Sequence, residues 1–258
     1  MAKVDQDFVI HSYEGAVENY RRATVQLGLW ASEEYVLTKY FRKEDRILDL
    51  GCGTGRTTFG LFERGYHRIE GIDVTPDMIR EALRIGCEKQ YDVSFAVADA
   101  RALPHASASF DRALFSFNGL MQIPKRENRG QALQEIHRVL KPGGIFVFTT
   151  HDREHNPKWA AFWQKEKTQW ECQTQDPRLH DYGDRIISAR NEVHDTFVHF
   201  PTRAELQTIL RATGWEILED FYRSDLFTEK EAVKHFSAEC RFWVVQKQMN
   251  TLLPSRTH

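Results

Sequence analysis

Cysteine is scarce in these 258 residues: four thiols, Cys52, Cys87, Cys172 and Cys240, stand far apart with no Cys-x-x-Cys pair. That spacing suggests neither a disulfide framework nor a zinc knuckle. Net charge is nearly absent too, with 35 basic side chains against 37 acidic ones for a balance of -2. A chain so balanced does not hold nucleic acid by its overall field and has only local patches to offer. Long apolar runs are missing; residues 145–148 and 242–245 are strand-sized, far short of a membrane span. The start, MAKVDQDFVIHSYE, is acidic and lacks an apolar stretch long enough for a secretion signal, so the expected location is cytoplasmic. What is present is an ordinary globular composition. Hydrophobic residues at 41% and charged residues at 28% exclude wholesale disorder, and the length suits one large domain.

Residues 12–41 predict helix, with Tyr13, Val17, Tyr20 and Thr24, then Trp30, Tyr35, Leu37 and Phe41, at a loose three-to-four spacing. Short apolar runs and helical stretches then alternate. Strands are predicted at 46–50, 67–73, 93–97, 110–117 and 145–150. Helices are predicted at 54–64 before Gly65, at 77–89 after Pro76, and at 126–140 before Lys141-Pro-Gly-Gly144. Such alternation implies right-handed crossovers and a mostly parallel sheet. From 151 to 200 the rhythm breaks into an aromatic stretch and two β-leaning segments, 184–190 and 192–200. Thr202 and Glu205 form a capping box for a helix reaching Ala212, and strands follow at 215–222 and 240–247. The expected fold is α/β, one domain over 1–258. It divides into a helical cap (1–44), a core (45–150), an insert (151–200), the returning part of the sheet (201–248) and a tail (249–258).

The informative segment is 47–56, ILDLGCGTGR. A strand running into Gly51, Gly53 and Gly55 lets the backbone turn tightly and approach a ligand, and the helix behind it offers unpaired N–H groups to a carboxylate or phosphate. Arg56 stands where the dinucleotide fingerprint needs its third glycine, which weighs against NAD or FAD. Asp49, at the end of a buried strand, needs hydrogen-bond donors such as an amino group. Asp73, closing the second strand, is placed to accept from two ribose hydroxyls. Asp99 closes the third and can accept from an adenine amine. An amino acid, a ribose and an adenine together describe S-adenosylmethionine.

On these residues the sequence resembles the class I (Rossmann-like) S-adenosylmethionine-dependent methyltransferases of small-molecule type. The resemblance is carried by 47–56, Gly71-Ile-Asp-Val-Thr-Pro-Asp-Met78, Val97-Ala-Asp-Ala100, Phe110-Asp111 and Leu140-Lys-Pro-Gly-Gly144, in order across 46–150. It fades over 1–40 and 151–200, where such families place substrate recognition. It implies a doubly wound, mostly parallel seven-stranded sheet with the last strand antiparallel, and S-adenosyl-L-methionine as cofactor, leaving as S-adenosyl-L-homocysteine. It also implies that Asp49, Gly51 and Gly53 bind the methionine end, that Asp73 holds the ribose, and that Val74 and Met78 flank the adenine. Asp99 and Ala100 would read the adenine edge, and Ser116 and Phe117 would sit beside the sulfonium.

Methyl transfer is an in-line displacement that needs alignment, exclusion of water and, for some acceptors, a base. It needs no metal, and no ligand set for one is evident. Asn118-Gly119 reads either as a turn or as an amide orienting the acceptor. Ser116-Phe-Asn-Gly119 departs from the Asp/Asn-Pro-Pro-aromatic motif of the family's adenine-methylating members, and a Pro-Cys nucleophile is absent. Both departures count against a nucleic-acid acceptor. His151, ending strand five, or His194 or His199 in the insert, is the candidate general base; for His151 a surface loop histidine is the plainer reading. Trp159 and Trp163 suit the wall of a pocket for a small acceptor, although such a stripe more often packs a helix on its sheet, and Tyr13, Tyr20 and Trp30 suit a cover over the cofactor, with core packing equally able to explain them. The expected activity is methyl transfer to an N or O atom of a small-molecule acceptor, without nucleic-acid or membrane partners. RNA or protein methylation, and a non-catalytic cofactor-binding protein, stand as alternatives; the oligomeric state is not legible.

Overall fold

The computed structural model describes residues 2–188 and 195–249. Its main sheet begins with β1 (Ile47–Leu50), β2 (Ile69–Asp73), β3 (Ser94–Val97), β4 (Phe110–Phe115) and β5 (Leu140–Thr150). A two-stranded ladder, β6 (Asp184–Ile187) with β7 (Thr196–His199), stands apart, and β8 (Trp215–Tyr222) and β9 (Arg241–Lys247) return to the main sheet. All four residues of β1 are buried, as a central parallel strand covered on both faces requires. It pairs in parallel with β2 and β4, and the order across the sheet is β3-β2-β1-β4-β5-β9-β8. Strand β9 alone runs antiparallel, to both β5 and β8. The chain winds outward from β1 to β3 and then crosses to β4. That reversal opens a crevice at the carboxyl ends of β1 and β4, the place where such sheets bind ligands.

Alternation along β1 decides which layer covers which face. Leu48 and Leu50 join Ile72, Phe110, Phe146, Phe148 and Trp243 in a core closed by helices α6 (Arg126–Val139) and α8 (Arg203–Ala212), the latter through Leu206 and Leu210. Ile47 faces the other way with Leu114, Val147 and Val244, under α3 (Ala31–Tyr40) and α4 (Arg56–Phe62). Helix α5 (Pro76–Lys89) buries Met78, Ile79, Ala82 and Ile85 and leaves Leu83 exposed. Among the described residues no helix is long and apolar enough to cross a membrane.

Several boundaries differ from expectation, each for a local reason. The single helix expected over 12–41 is three: α1 (Gln6–Glu14), α2 (Val17–Gln26) and α3. Asp5 caps α1 by accepting the Phe8 N–H at 3.0 Å, and Gly28, at φ +59°, turns the chain between α2 and α3. Helix α4 starts at Arg56 because Gly55 is held left-handed at φ +90°. Lys141-Pro-Gly-Gly144 does not precede β5 but lies within it. The ladder passes from Phe110↔Leu140 to Arg112↔Ile145, so these residues bulge out of register. Strand β4 stops at Phe115, because Phe117 (φ 53°) and Asn118 (φ 62°) are left-handed. After α7 (Ala160–Glu171), the short helices α9 (Arg223–Leu226) and α10 (Glu231–Phe236) join β8 to β9; their four and six residues are too few to show a period.

Candidate active site

The crevice above β1 and β2 is a cavity whose floor is the glycine loop. Gly51 and Gly53 have φ of +58° and +55°, and a Cβ on Gly51 would stand 2.5 Å from the Phe115 ring. The loop is tied down by Asp73: one carboxylate oxygen accepts the Gly53 N–H at 2.9 Å, the other the Thr75 N–H at 2.8 Å. Burial pushes the Asp73 carboxyl up, against the pull of those N–H donors. The Thr75 side chain and the Val74 N–H add to that pull, and the carboxylate lines the cavity. Asp99, two residues past β3, accepts Arg101 Nη2 on one oxygen at 2.6 Å and Arg101 Nε on the other at 3.1 Å, and also lines the cavity.

Val74, Met78 and Ala100 supply an apolar wall beside Asp73 and Asp99. Ser116 and Phe117 face them from the end of β4. The outer side is closed by rings. Tyr13 of α1 and Tyr20 of α2 meet edge-on at 5.8 Å, Tyr20 meets Phe117 at 6.0 Å, and Phe236 of α10 stacks on Phe117 at 5.2 Å. The two tyrosine hydroxyls lie close enough to perturb each other, and the Gln122 side chain lies beside that of Tyr13. Burial holds both phenols well above the usual range, so neither is a base near neutral pH. The Cys52 thiol beside the loop is likewise driven up by burial and is inert as a nucleophile.

Asp49 does not reach the cavity. It faces α4, where one oxygen accepts the hydroxyls of Thr57 and Thr58, each at 2.6 Å, while the other oxygen is buried without a partner. Burial pushes its carboxyl up to about 7, although the threonine hydroxyls and Arg56 oppose the rise. Its direct contact with a ligand's amino group, expected from the sequence, is therefore corrected to a place beneath the loop.

Sequence reasoning missed the group that locks the cap to this loop. Arg56 reaches both oxygens of Glu33 in α3 at 2.6 Å and lies 4.2 Å from the Trp30 ring. Glu33 also accepts the Ser116 hydroxyl at 2.5 Å and the Trp30 N–H at 3.0 Å, and only 2% of its side chain is exposed. A glutamate three residues after a helix start reads from sequence as a cap; only its burial marks the second role. Phe236 was missed as well, because a six-residue helix between two strands carries no motif.

Several other expected residues lie off this cavity, which corrects their assignment. Trp30 packs behind Phe117, with ring centres 5.7 Å apart. Asn118, buried, pairs with the partly buried His151 instead of lining the wall. The Asn118 amide donates to His151 Nε2 at 3.2 Å, and His151 Nδ1 donates to the Glu239 carbonyl at 3.1 Å. The lone pair a base would use is thus occupied, and burial lowers the imidazole's basicity. Trp159 is 57% exposed, and Trp163 packs on Phe200 at 5.6 Å. His199 pairs with Asp184 at 2.8 Å in a different cavity. His194 lies outside the described residues. Among the described residues no cluster of three or more His, Cys, Asp or Glu is arranged to hold a metal ion.

Comparison with known proteins matches residues 47–144 to a family model described as a methyltransferase domain. A malonyl-[acyl-carrier protein] O-methyltransferase of Enterobacter lignolyticus is 27% identical over 164 residues, 64% of this chain and 61% of that protein. An eEF1A lysine and N-terminal methyltransferase of Danio rerio is 31% identical over 130 residues, 49% of this chain and 19% of that protein. The chain thus spans less than two thirds of either curated relative. Among solved structures, the 1,6-didemethyltoxoflavin-N1-methyltransferase of Burkholderia thailandensis, with 1,6-didemethyltoxoflavin and S-adenosylhomocysteine bound, superposes with a TM-score of 0.58. It is 19% identical over 94% of this chain and 86% of that one, a likeness of fold.

Proposed function

We propose that this chain, whose residues 47–144 form a class I S-adenosylmethionine-dependent methyltransferase domain, moves a methyl group onto an N or O atom of a small-molecule acceptor. The observation that carries this reading is the single cavity wall on which Gly51, Gly53, Asp73, Val74, Met78 and Asp99 converge with a cover of aromatic rings. These residues suit the cofactor. The glycine loop leaves room for backbone approach, Asp73 presents its carboxylate edge to ribose hydroxyls, Val74 and Met78 offer an apolar bed for a base, and Asp99 offers an acceptor to an exocyclic amine. Bound there, S-adenosyl-L-methionine supplies an electrophilic methyl on a sulfonium.

The residues of the chain then have three tasks. Ser116 and Phe117 flank the reacting end, Tyr20 and Phe236 exclude water from it, and Tyr13 with Gln122 presents hydroxyl and amide groups to orient an acceptor. No group described on the wall is both free and basic enough to take a proton from an alcohol. The reading therefore favours a nucleophile that attacks without help, a carboxylate or a neutral amine. The covering rings of α1, α2 and α10 favour a small acceptor over a macromolecule, although the likeness to the Danio rerio enzyme keeps a protein acceptor as the competing outcome.

Incubation of the protein with deuteromethyl-labelled S-adenosylmethionine and a fractionated cell extract tests the proposal. Label is expected in the small-molecule ultrafiltrate. Label only in the protein or RNA fraction, or no turnover with tight S-adenosylhomocysteine binding, would replace it.

A further inference from the structure

A second cavity, of about 250 Å³, lies across the Gly119–Gln122 turn from the first. The turn divides the two: Gly119 and Gln122 line the cofactor side, Leu120 and Met121 the other. Leu133 of α6 and Leu206 and Ile209 of α8 extend the apolar wall of the second cavity.

Its carboxylates are already engaged. Glu205 accepts two nitrogens of Arg153, at 2.8 and 2.9 Å, and the Thr202 N–H at 2.7 Å. Asp181 accepts the Arg126 N–H at 2.8 Å and Arg129 Nη2 at 3.0 Å. Asp184, next to this wall, accepts the His180 and Asp181 N–H groups on one oxygen and His199 Nδ1 on the other. What is left over is a guanidinium and a ring nitrogen that can take up a proton. The exposed Arg126 guanidinium has no partner among the described residues. His199 is 5% exposed, and with Nδ1 turned to Asp184 its Nε2 is the open polar atom of a ring that lines the cavity, with no hydrogen bond among the described residues. A tie between β6 and β7, where Asp184 and His199 are direct partners, uses the Nδ1 edge alone. It does not account for the other ring nitrogen of this buried residue, which has no protein partner and belongs to a ring lining the cavity.

We propose that this cavity is a second ligand site, taking a small aliphatic carboxylic acid whose chain lies on Leu120, Met121, Leu133, Leu206 and Ile209 and whose carboxylate is held by His199 Nε2 and Arg126. The volume falls below the roughly 300–1,000 Å³ of drug-sized sites, which fits a short chain. The Asp184 carboxylate behind the ring supports the imidazolium that a bound carboxylate favours, so binding takes up a proton at His199. Glu205 acts in the same direction; burial and Arg129 of α6 oppose it and keep the ring neutral when the site is empty.

Calorimetric titration of the full chain with hexanoate tests this. One-to-one binding is expected, at least about tenfold tighter near pH 6 than near pH 8, with proton uptake visible as a buffer-dependent heat. Ile209→Trp, which fills the cavity, should abolish binding without lowering Tm, and Arg126→Gln at the rim should weaken it about threefold or more. His199→Gln tests the anchor itself, and the two other variants carry the result if it fails to fold. Absent heat, pH-independent affinity, or an unchanged isotherm in Ile209→Trp would overturn the proposal. So would displacement of hexanoate by S-adenosylhomocysteine, which would place the acid in the first cavity.

Discussion

Asp49→Asn separates a buried carboxyl that stabilises the glycine loop from one that strains it. Asp49 is fully buried, one oxygen accepts two threonine hydroxyls, and the other has no partner. Burial lifts its carboxyl from an ordinary 3.8 to about 7. A carboxyl with a raised folded-state pKa binds its proton more tightly when folded. Its stabilising contribution is therefore full below about pH 4 and is lost as the pH rises through about 7. At about 1.36 kcal/mol per pH unit, that lift corresponds to roughly 4 kcal/mol. The asparagine keeps the shape and an acceptor for Thr57 and Thr58 but cannot ionise. Its new N–H pair, facing the unpartnered side, costs about 1–3 kcal/mol at every pH. Urea unfolding of both proteins in steps between about pH 4 and pH 8 measures the difference. The variant is expected to be the less stable at the acid end and to gain on the wild type by a few kcal/mol as the pH rises. Parallel curves would show that Asp49 ionises in the fold without penalty and would refute burial as the force that raises its pKa.

Three further substitutions probe the site. Asp73→Ala removes the carboxylate that ties Gly53 and Thr75 and faces the cavity; S-adenosylhomocysteine affinity by calorimetry should fall by about 1.5–3 kcal/mol, and unchanged affinity would take Asp73 out of the site. Glu33→Gln leaves Arg56 buried without its counter-charge and should cost about 3–5 kcal/mol in urea unfolding, so a loss under about 1 kcal/mol would reduce the pair to packing. Gly51→Ala forces an L side chain into a left-handed turn against Phe115 and should cost at least about 1–2 kcal/mol with loss of S-adenosylhomocysteine binding; wild-type affinity would contradict the close approach.

The sequence by itself determined the sheet and the floor of the cavity. A glycine loop between a fully buried strand and a helix, and aspartates closing successive strands, are local patterns whose geometry follows from backbone conformation and strand period within a few residues. That is why 46–150 was legible and why Gly51, Gly53, Asp73, Val74, Met78 and Asp99 come together as their order implied. Only the tertiary structure decided which way Asp49 faces, since its register in a strand covered on both sides is set by α4 rather than by its neighbours in sequence. The same holds for the covering rings. Tyr20 meets Phe236 from the far part of the chain and Phe117 from its middle, and Glu33 finds Arg56 across 23 residues. The aromatic and histidine positions of 151–200 carried no period strong enough to choose a partner. His199 went to Asp184, Trp163 to Phe200 and Trp159 to the surface, because cross-strand pairing and packing between distant segments assigned them.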